Sequence, residues 1–383
     1  MDGTGAQRLD DAERLDRLRL ARADQVGPVT FHRLLERYGS AAAALSALPG
    51  LTGNGRPARI PDRTDAEREL KAVERLGARL LAFGDADYPT PLAAIADPPP
   101  FLAVLGDPAL LQRSCIAMVG ARNASVAGQR FAQRMAADLG GQGFVVVSGL
   151  ARGIDAAAHT GAMDAGTVAV VAGGVDVVFP PENRALYEAI AERGAVVAEL
   201  PPGTEPKARH FPRRNRIIAG LSAGVVVVEA ALRSGSLLTA RMAFDENREV
   251  FAVPGSPLDP RCRGSNDLLR QRAHLTEGVD DVMEVLRGQL DLRPPSRPAT
   301  RRTPLPAAPQ RPVPTPVQTG TGAEAGDRDP VGRVVEALGP TPVTVDELVR
   351  RCQLSAASVT SVLLELELSG RVERHPGQRV SLL

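Results

Sequence analysis

Hydrophobic positions between residues 115 and 253 fall into short, nearly unbroken runs. They are Cys115-Ile116-Ala117-Met118-Val119, Phe144-Val145-Val146-Val147, Thr167 to Val171, Ala195 to Ala198, Val225 to Val228 and Val250 to Val253. Runs this short, rich in β-branched residues and lacking polar alternation, are what strands buried on both faces require. Between them, as in Gly128 to Leu139 and Ile154 to Ala165, apolar positions recur at helical spacing. Strands alternating with helices predict an α/β fold with a Rossmann-like, doubly wound, mostly parallel sheet.

The flanks follow other patterns. Over residues 1–78, Leu15, Leu18 and Leu20, then Phe31, Leu34 and Leu35, repeat at helical spacing and are punctuated by Gly27-Pro28 and Tyr38-Gly39-Ser40. This predicts an N-terminal helical domain of short hairpins, SAM-like or helix-hairpin-helix-like. Its turns either present amides to a phosphate or simply close a structural bundle. Residues 79–292 hold the Rossmann-like domain. Residues 293–329 are rich in Pro and Arg, the composition of a flexible linker. Residues 330–383 read as helices over Val331 to Leu338, Val345 to Cys352 and Ala356 to Leu368. A β-hairpin around Pro376-Gly377 follows, the order of a winged helix.

Composition narrows the chemistry. Lys plus Arg number 46 against 45 acids in 383 residues, so a net charge of +1 gives no global attraction to nucleic acid or membrane, and any basic site must be local. Cys115, Cys262 and Cys352 lie far apart without a CxxC pair, which argues against a disulfide framework or zinc ribbon and fits a reducing cytoplasm. The polar start and the absence of any run near 18 apolar residues predict neither a cleavable signal nor a membrane span. Lys71 in Glu-Leu-Lys-Ala and Lys207 in Glu-Pro-Lys-Ala are the only lysines, so a Gly-Lys-Ser/Thr P-loop is excluded. The five histidines lack metal-ligand spacing. No metal, cofactor or catalytic residue is expected.

In an open α/β sheet, ligands bind beyond the carboxyl ends of the strands. Here those positions carry Gly120-Ala121-Arg122, Ser148-Gly149-Leu150-Ala151-Arg152-Gly153, Gly173-Gly174 and, after Glu229, Ser234-Gly235-Ser236. Glycines admit a close backbone approach, serines donate, and the following helices aim N–H groups at one rim, a combination suited to anions. GxGxxG is missing after the first strand, which disfavours ordinary dinucleotide binding. Pro206 to Arg216 holds five Lys or Arg and one aromatic in eleven residues. Lys207, Arg213, Arg214 and Arg216 are candidate phosphate ligands, Phe211 a candidate base platform and Asn215 a polar partner, a set suited to unpaired strands. The competing reading is a helix start whose arginines pair with carboxylates. Asp155 and His159, at i,i+4, are expected to face one another in a structural hydrogen bond. Glu229 and Asp176 at strand ends keep a hydrolytic reading open.

These segments, with Phe179-Pro180, Asn183, Ile217 to Ser222, Leu237 to Ala240 and Val253-Pro254-Gly255, closely resemble the DNA-processing protein A family (DprA/Smf) over residues 80–285. Tyr88-Pro89 and Asp97-Pro98-Pro99 share that resemblance. Two positions depart from the family pattern: Phe179 stands where Tyr is common, and Arg272-Ala273 where a Gly-Ala pair is common. The resemblance implies a cytoplasmic, non-enzymatic protein that binds single-stranded DNA, protects incoming strands in natural transformation and loads a RecA-type recombinase, usually as a homodimer. It implies phosphate contacts at Arg122, at Ser148-Gly149 and over Phe211 to Arg216. The alternative is a Rossmann-like phosphoribohydrolase acting on nucleoside monophosphates with Glu229 as acid, although its Pro-Gly-Gly-x-Gly-Thr signature is replaced here by Ser-Gly-Ser-Leu-Leu-Thr.

The third C-terminal helix, Ala356 to Leu368, has no Lys or Arg and carries Glu365 and Glu367. Duplex readout through it is therefore not expected, and its leucines suggest contact with a partner protein or the main domain.

Overall fold

Local caps start the N-terminal helices. Asp10 accepts from the Glu13 amide at 2.6 Å to begin α1 (Asp11–Ala21), Pro28 opens α2 (Pro28–Tyr38), α3 (Ala41–Leu51) follows, and a capping box of Asp62 and Asp65 begins α4 (Arg63–Arg75). The computed structural model describes residues 10–51, 59–287, 329–339, 342–369, 371–375 and 378–382. The linker expected at 293–329 and the hairpin turn at Pro376-Gly377 lie outside these, apart from Asp329. Leu20, Phe31, Leu34 and Leu45 close the helices on each other. Leu15, Leu18 and Ala66 turn the other way, onto Ala82 and Phe101 of the sheet edge. Arg14 pairs with Asp85 at 2.9 Å, and His32 Nε2 lies 2.9 Å from the Pro98 carbonyl oxygen. The N-terminal helices are thus seated on the sheet.

The sheet domain runs β1 (Arg79–Ala82), α5 (Thr90–Ala93), β2 (Phe101–Gly106), β3 (Cys115–Gly120), α6 (Val126–Gly141), β4 (Val145–Ser148), α7 (Ile154–Ala162) and β5 (Thr167–Val170). It continues through α8 (Arg184–Arg193), β6 (Ala195–Ala198), α9 (His210–Leu221), β7 (Gly224–Val228), α10 (Gly235–Asp245), β8 (Glu249–Ala252), α11 (Arg263–Arg270), β9 (His274–Leu275) and α12 (Val279–Leu286). The spatial order is β1-β2-β6-β5-β4-β3-β7-β8-β9, parallel from β6 to β9, with β1 and β2 added antiparallel beside β6. Alternation along β3 sorts its side chains. Cys115, Ala117 and Val119 join Ile217, Leu221 and Ala240 on one face, while Ile116 and Met118 join Met135, Leu139, Ala158 and Leu286 on the other. Full burial of each Val, Leu, Ile or Met side chain among these contributes roughly 1.5–3 kcal/mol. From β3 the chain steps outward through β4, β5 and β6, then returns to lay β7, β8 and β9 on the opposite side of β3. The switch point lies between the carboxyl ends of β3 and β7, where Gly120 pairs with Val228.

The C-terminal module is a winged helix: α13 (Pro330–Ala337), β10 (Val343–Thr344), α14 (Val345–Cys352), α15 (Ala356–Leu368), β11 (Val372–His375) and β12 (Arg379–Leu382), with its sheet ordered β10-β12-β11. The sequence suggested that α15 meets another protein or the main domain. Val359, Val362, Leu363 and Leu366 fill the module's own core with Val334, Leu338 and Leu348, while Leu364 stays exposed. The main domain contributes Val126 to that core, and polar contacts also join the two. Asp259 holds the Arg261 guanidinium at 2.9 Å, from which Arg261 donates to the Glu336 and Leu338 carbonyls at 2.7 and 2.5 Å, at the end of α13. Arg130 pairs with Glu347, and Arg351 donates to Gln129 at 2.5 Å.

Arg272-Ala273 has a structural meaning. The Ala273 amide returns to the Leu268 carbonyl at 3.0 Å, closing the C-terminus of α11 in a Schellman turn, with Arg272 at φ 103°. That region suits glycine and costs other residues about 1–3 kcal/mol. Arg272→Gly is expected to raise stability by about 1 kcal/mol, the relief of strain exceeding glycine's entropy cost in the unfolded chain. Urea unfolding measures it; an unchanged or lower midpoint at equal slope refutes the assignment.

Candidate nucleic-acid interface

A cavity of about 620 Å³ opens at the switch point. Its walls are the β3–α6 loop, the β7–α10 loop and one face of α9, with Ala151 and Asp155 after β4 and Pro260-Arg261 before α11. Gly120 forms its floor because a Cβ there would lie 1.9 Å from the Val228 carbonyl oxygen, so only glycine lets β3 and β7 run side by side to their ends. Helical periodicity sorts the cationic segment. Phe211, Arg214, Asn215 and Ile218, at i, i+3, i+4 and i+7, line the cavity. Arg213 and Arg216 face away.

Arg216 is a buried ion-pair residue. It donates to Glu199 at 2.5 Å and to the Asp97 carbonyl at 2.5 Å, and its Nε lies 3.3 Å from the Asp97 carboxylate. Arg213 stands half-exposed 3.6 Å from the same Glu199. The structure thus places Arg216 in a buried ion pair and Arg213 beside the same carboxylate, both outside the cavity. Lys207 is exposed outside the cavity, and Arg152 is exposed 3.9 Å from Glu182. Ser148 is fully buried and donates to the Met118 carbonyl at 2.6 Å, so its hydroxyl is committed inside the sheet.

Two of the expected anion-binding turns already hold a carboxylate from the chain. The Gly149 and Ala151 amides donate to Asp155 at 3.1 and 3.2 Å. Glu229 accepts from the Ser125 amide at 2.8 Å and from its hydroxyl, closing the start of α6. Its carboxylate packs against Gly128 and does not line the cavity, which places the candidate acid of the hydrolytic reading in a capping position. Asp176 accepts from the Gly203 amide at 2.8 Å. The start of α10 differs. Ser234 caps it, Ser236 contacts the Ser234 hydroxyl at 2.5 Å, and the space beside Gly235 is open. An eleven-residue helix therefore directs its positive end into the cavity.

Arg214 is buried, and a Cβ on Gly149 would lie 1.3 Å from its Nη1, so the absent side chain at 149 is what seats the guanidinium. Burial pulls its pKa down to about 10, with Asp155 acting in the opposite direction, so it stays charged at neutral pH. Burial raises the Asp155 pKa, against the pull of Arg214. The Arg214 Nε has no hydrogen-bond partner among the described residues. Arg122 is exposed, its guanidinium carbon 5.3 Å from the Phe211 ring centre, with that of Arg214 at 5.9 Å. Asn215 donates to the Gly235 carbonyl at 3.4 Å, fixing α9 against α10. Sequence reasoning missed Arg233, an exposed cation on the cavity wall, although it directly precedes Ser234. Among the described residues neither Arg122, Arg214 nor Arg233 forms an ion pair within 4 Å; Asp155, also on the wall, offsets Arg214 and Arg122 only in part, so the cavity carries a surplus of positive charge. A larger cleft of about 710 Å³ beside β1 sets Asp11, Glu74, Asp85 and Asp87 against Arg14 and Arg79, a poor match to phosphate.

Residues 79–287 match the family model described as DNA recombination-mediator protein A, residues 11–72 a DprA-like N-terminal HHH domain, and residues 318–378 a DprA winged helix domain. The chain is similar to the protein Smf of Synechocystis, 32% identical over 380 residues, covering 92% of this chain and 95% of that one. It is similar to the X-ray structure of DNA processing protein A from Streptococcus pneumoniae, with TM-score 0.60 and 32% identity over 70% of this chain and 95% of that one. A Helicobacter pylori DNA processing protein A, whose structure concerns its single-stranded DNA binding mode, aligns with TM-score 0.51 and 27% identity over 55% of this chain and 96% of its own.

Asp155 and His159 do not bond each other as expected: His159 Nδ1 lies 2.7 Å from the Thr167 hydroxyl, and its Nε2 is buried without a partner. Burial, reinforced by Arg214, lowers the His159 pKa from 6.5 to about 3. The unfolded chain therefore takes up a proton that the native state refuses, and stability falls as pH drops from about 6.5 toward 3. At about pH 5 the loss from this group is about 2 kcal/mol. His159→Gln is expected to lose that much less than the unchanged protein between pH 7 and pH 5 in urea unfolding; parallel profiles refute the assignment.

Proposed function

Because the chain belongs to the DNA recombination-mediator protein A family, we propose that its switch-point cavity binds the sugar-phosphate backbone of single-stranded DNA. The observation carrying this reading is the grouping of Arg122, Arg214 and Arg233, none in an ion pair among the described residues, around the open start of α10. Backbone phosphates complete that arrangement: the guanidinium groups offer paired donors, and the helix end adds amides and a partial positive charge. Gly120, Arg122, Phe211, Arg214, Asn215, Ser234, Gly235 and Ser236 form the direct surface. Ser148, Gly149 and Arg216 support it from within, and Arg152, Lys207 and Arg213 lie outside. In the wider role implied by the family resemblance, the protein acts in the cytoplasm as a homodimer, protects incoming strands during transformation and delivers them to a RecA-type recombinase.

Binding of an oligothymidine across a salt series tests the site. Arg122→Ala is expected to lower affinity about tenfold, one charged contact. It should also flatten the log-log salt slope by about 0.7 for one phosphate lost. Gly149→Ala, by displacing the Arg214 guanidinium, should weaken binding similarly while the chain stays folded. Arg213→Ala should leave affinity and slope nearly unchanged. Equal losses for Arg213→Ala and Arg122→Ala move the strand off this cavity.

A further inference from the structure

Phe179 is exposed by 45%, the one aromatic residue among the large apolar side chains left in solvent in the described residues. The segment around it is firmly held. The Val177 amide donates to the Gly174 carbonyl at 3.0 Å, Val175 is fully buried, and Asn183 donates to the Leu150 carbonyl at 2.8 Å. A fixed backbone thus presents a bare ring. Its one aromatic neighbour is Phe211, edge to face with centres 5.9 Å apart and planes inclined at 63°.

Phe211 is itself occupied. Two guanidinium groups lie near its ring, and Phe179 meets it edge to face, so its role is to hold Arg122 and Arg214 in place. The sequence reading gave Phe211 the task of stacking a base. In the structure Phe211 is half-buried, and the more exposed ring is the next one out. A single aromatic ring, Phe211, lies between it and the Arg122 guanidinium.

We propose that Phe179 is the base platform of this site, stacking one unpaired nucleobase whose phosphate lies on Arg122 and Arg214. The proposal rests on the single-strand reading of the cavity and adds to it a requirement for the base. Phe has no polar edge, so the platform accepts any base by its π-face and reads no sequence. It requires an unpaired base, because a duplex keeps its base faces stacked on one another.

The test compares an oligothymidine with an abasic sugar-phosphate strand of equal length, both titrated into the full chain. The unchanged protein is expected to bind the thymidine strand more tightly. Phe179→Ala should weaken thymidine binding about tenfold, the scale of one stacked base, without changing affinity for the abasic strand. Phe179→Tyr should keep the thymidine preference, and Phe179→Leu should lose it. Equal weakening on both strands by Phe179→Ala assigns the ring to supporting Phe211 and overturns the proposal, as does no weakening on either. If Arg122→Ala weakens both strands while Phe179→Ala weakens neither, only the platform fails. If the unchanged protein binds neither strand, the single-strand reading fails with it.

Discussion

The site depends on a cation placed where water cannot reach most of it. Arg214 sits over Gly149 because no side chain is there, and Asp155 nearby opposes the loss of charge that burial favours. Asp155 is held in turn by the two loop amides that would otherwise face the rim. Removing a charge from water costs several kcal/mol unless it is compensated, and this compensation is only partial, since one guanidinium nitrogen keeps no partner. Folding therefore bears much of the desolvation cost before any ligand arrives, and the cation meets its ligand already oriented.

The layout of the sheet was legible because each buried parallel strand is a short apolar run, and the six runs named from residue 115 onward correspond to β3 through β8. β1, β2 and β9 were not singled out. β1 is a four-residue edge strand, β9 has two residues, and β2 follows a proline run that reads as a loop. Glycine-rich turns marked the correct rim, but composition could not reveal which turns were already filled. Asp155 lies six residues beyond Gly149, and Glu229 is 104 residues from the Ser125 it caps, so their pairing is a property of the fold. The arginine cluster illustrates the same limit: Arg214 and Arg216 differ by two positions and point to opposite sides of α9.

The C-terminal module joins this frame at a few points. Val126 lies beside Ser125, the residue that caps α6 and binds Glu229, yet its side chain belongs to the module's core. Arg261 lines the cavity wall while gripping the last carbonyls of α13. The edge of the cavity and the seat of the module are therefore built from the same short segments, and neither can shift far without the other.

The two-sided use of α9 sets what kind of genetic change the protein tolerates. A substitution at Arg122 or Arg233 subtracts one exposed cation and leaves the scaffold standing. Deleting or inserting a single codon between Phe211 and Ile218 instead rotates every following side chain by about 100° around the helix. Arg216 would leave Glu199, stranding a buried carboxylate, as the cavity lost its own ligands. Length within this helix is thus more tightly constrained than the identity of several residues it carries.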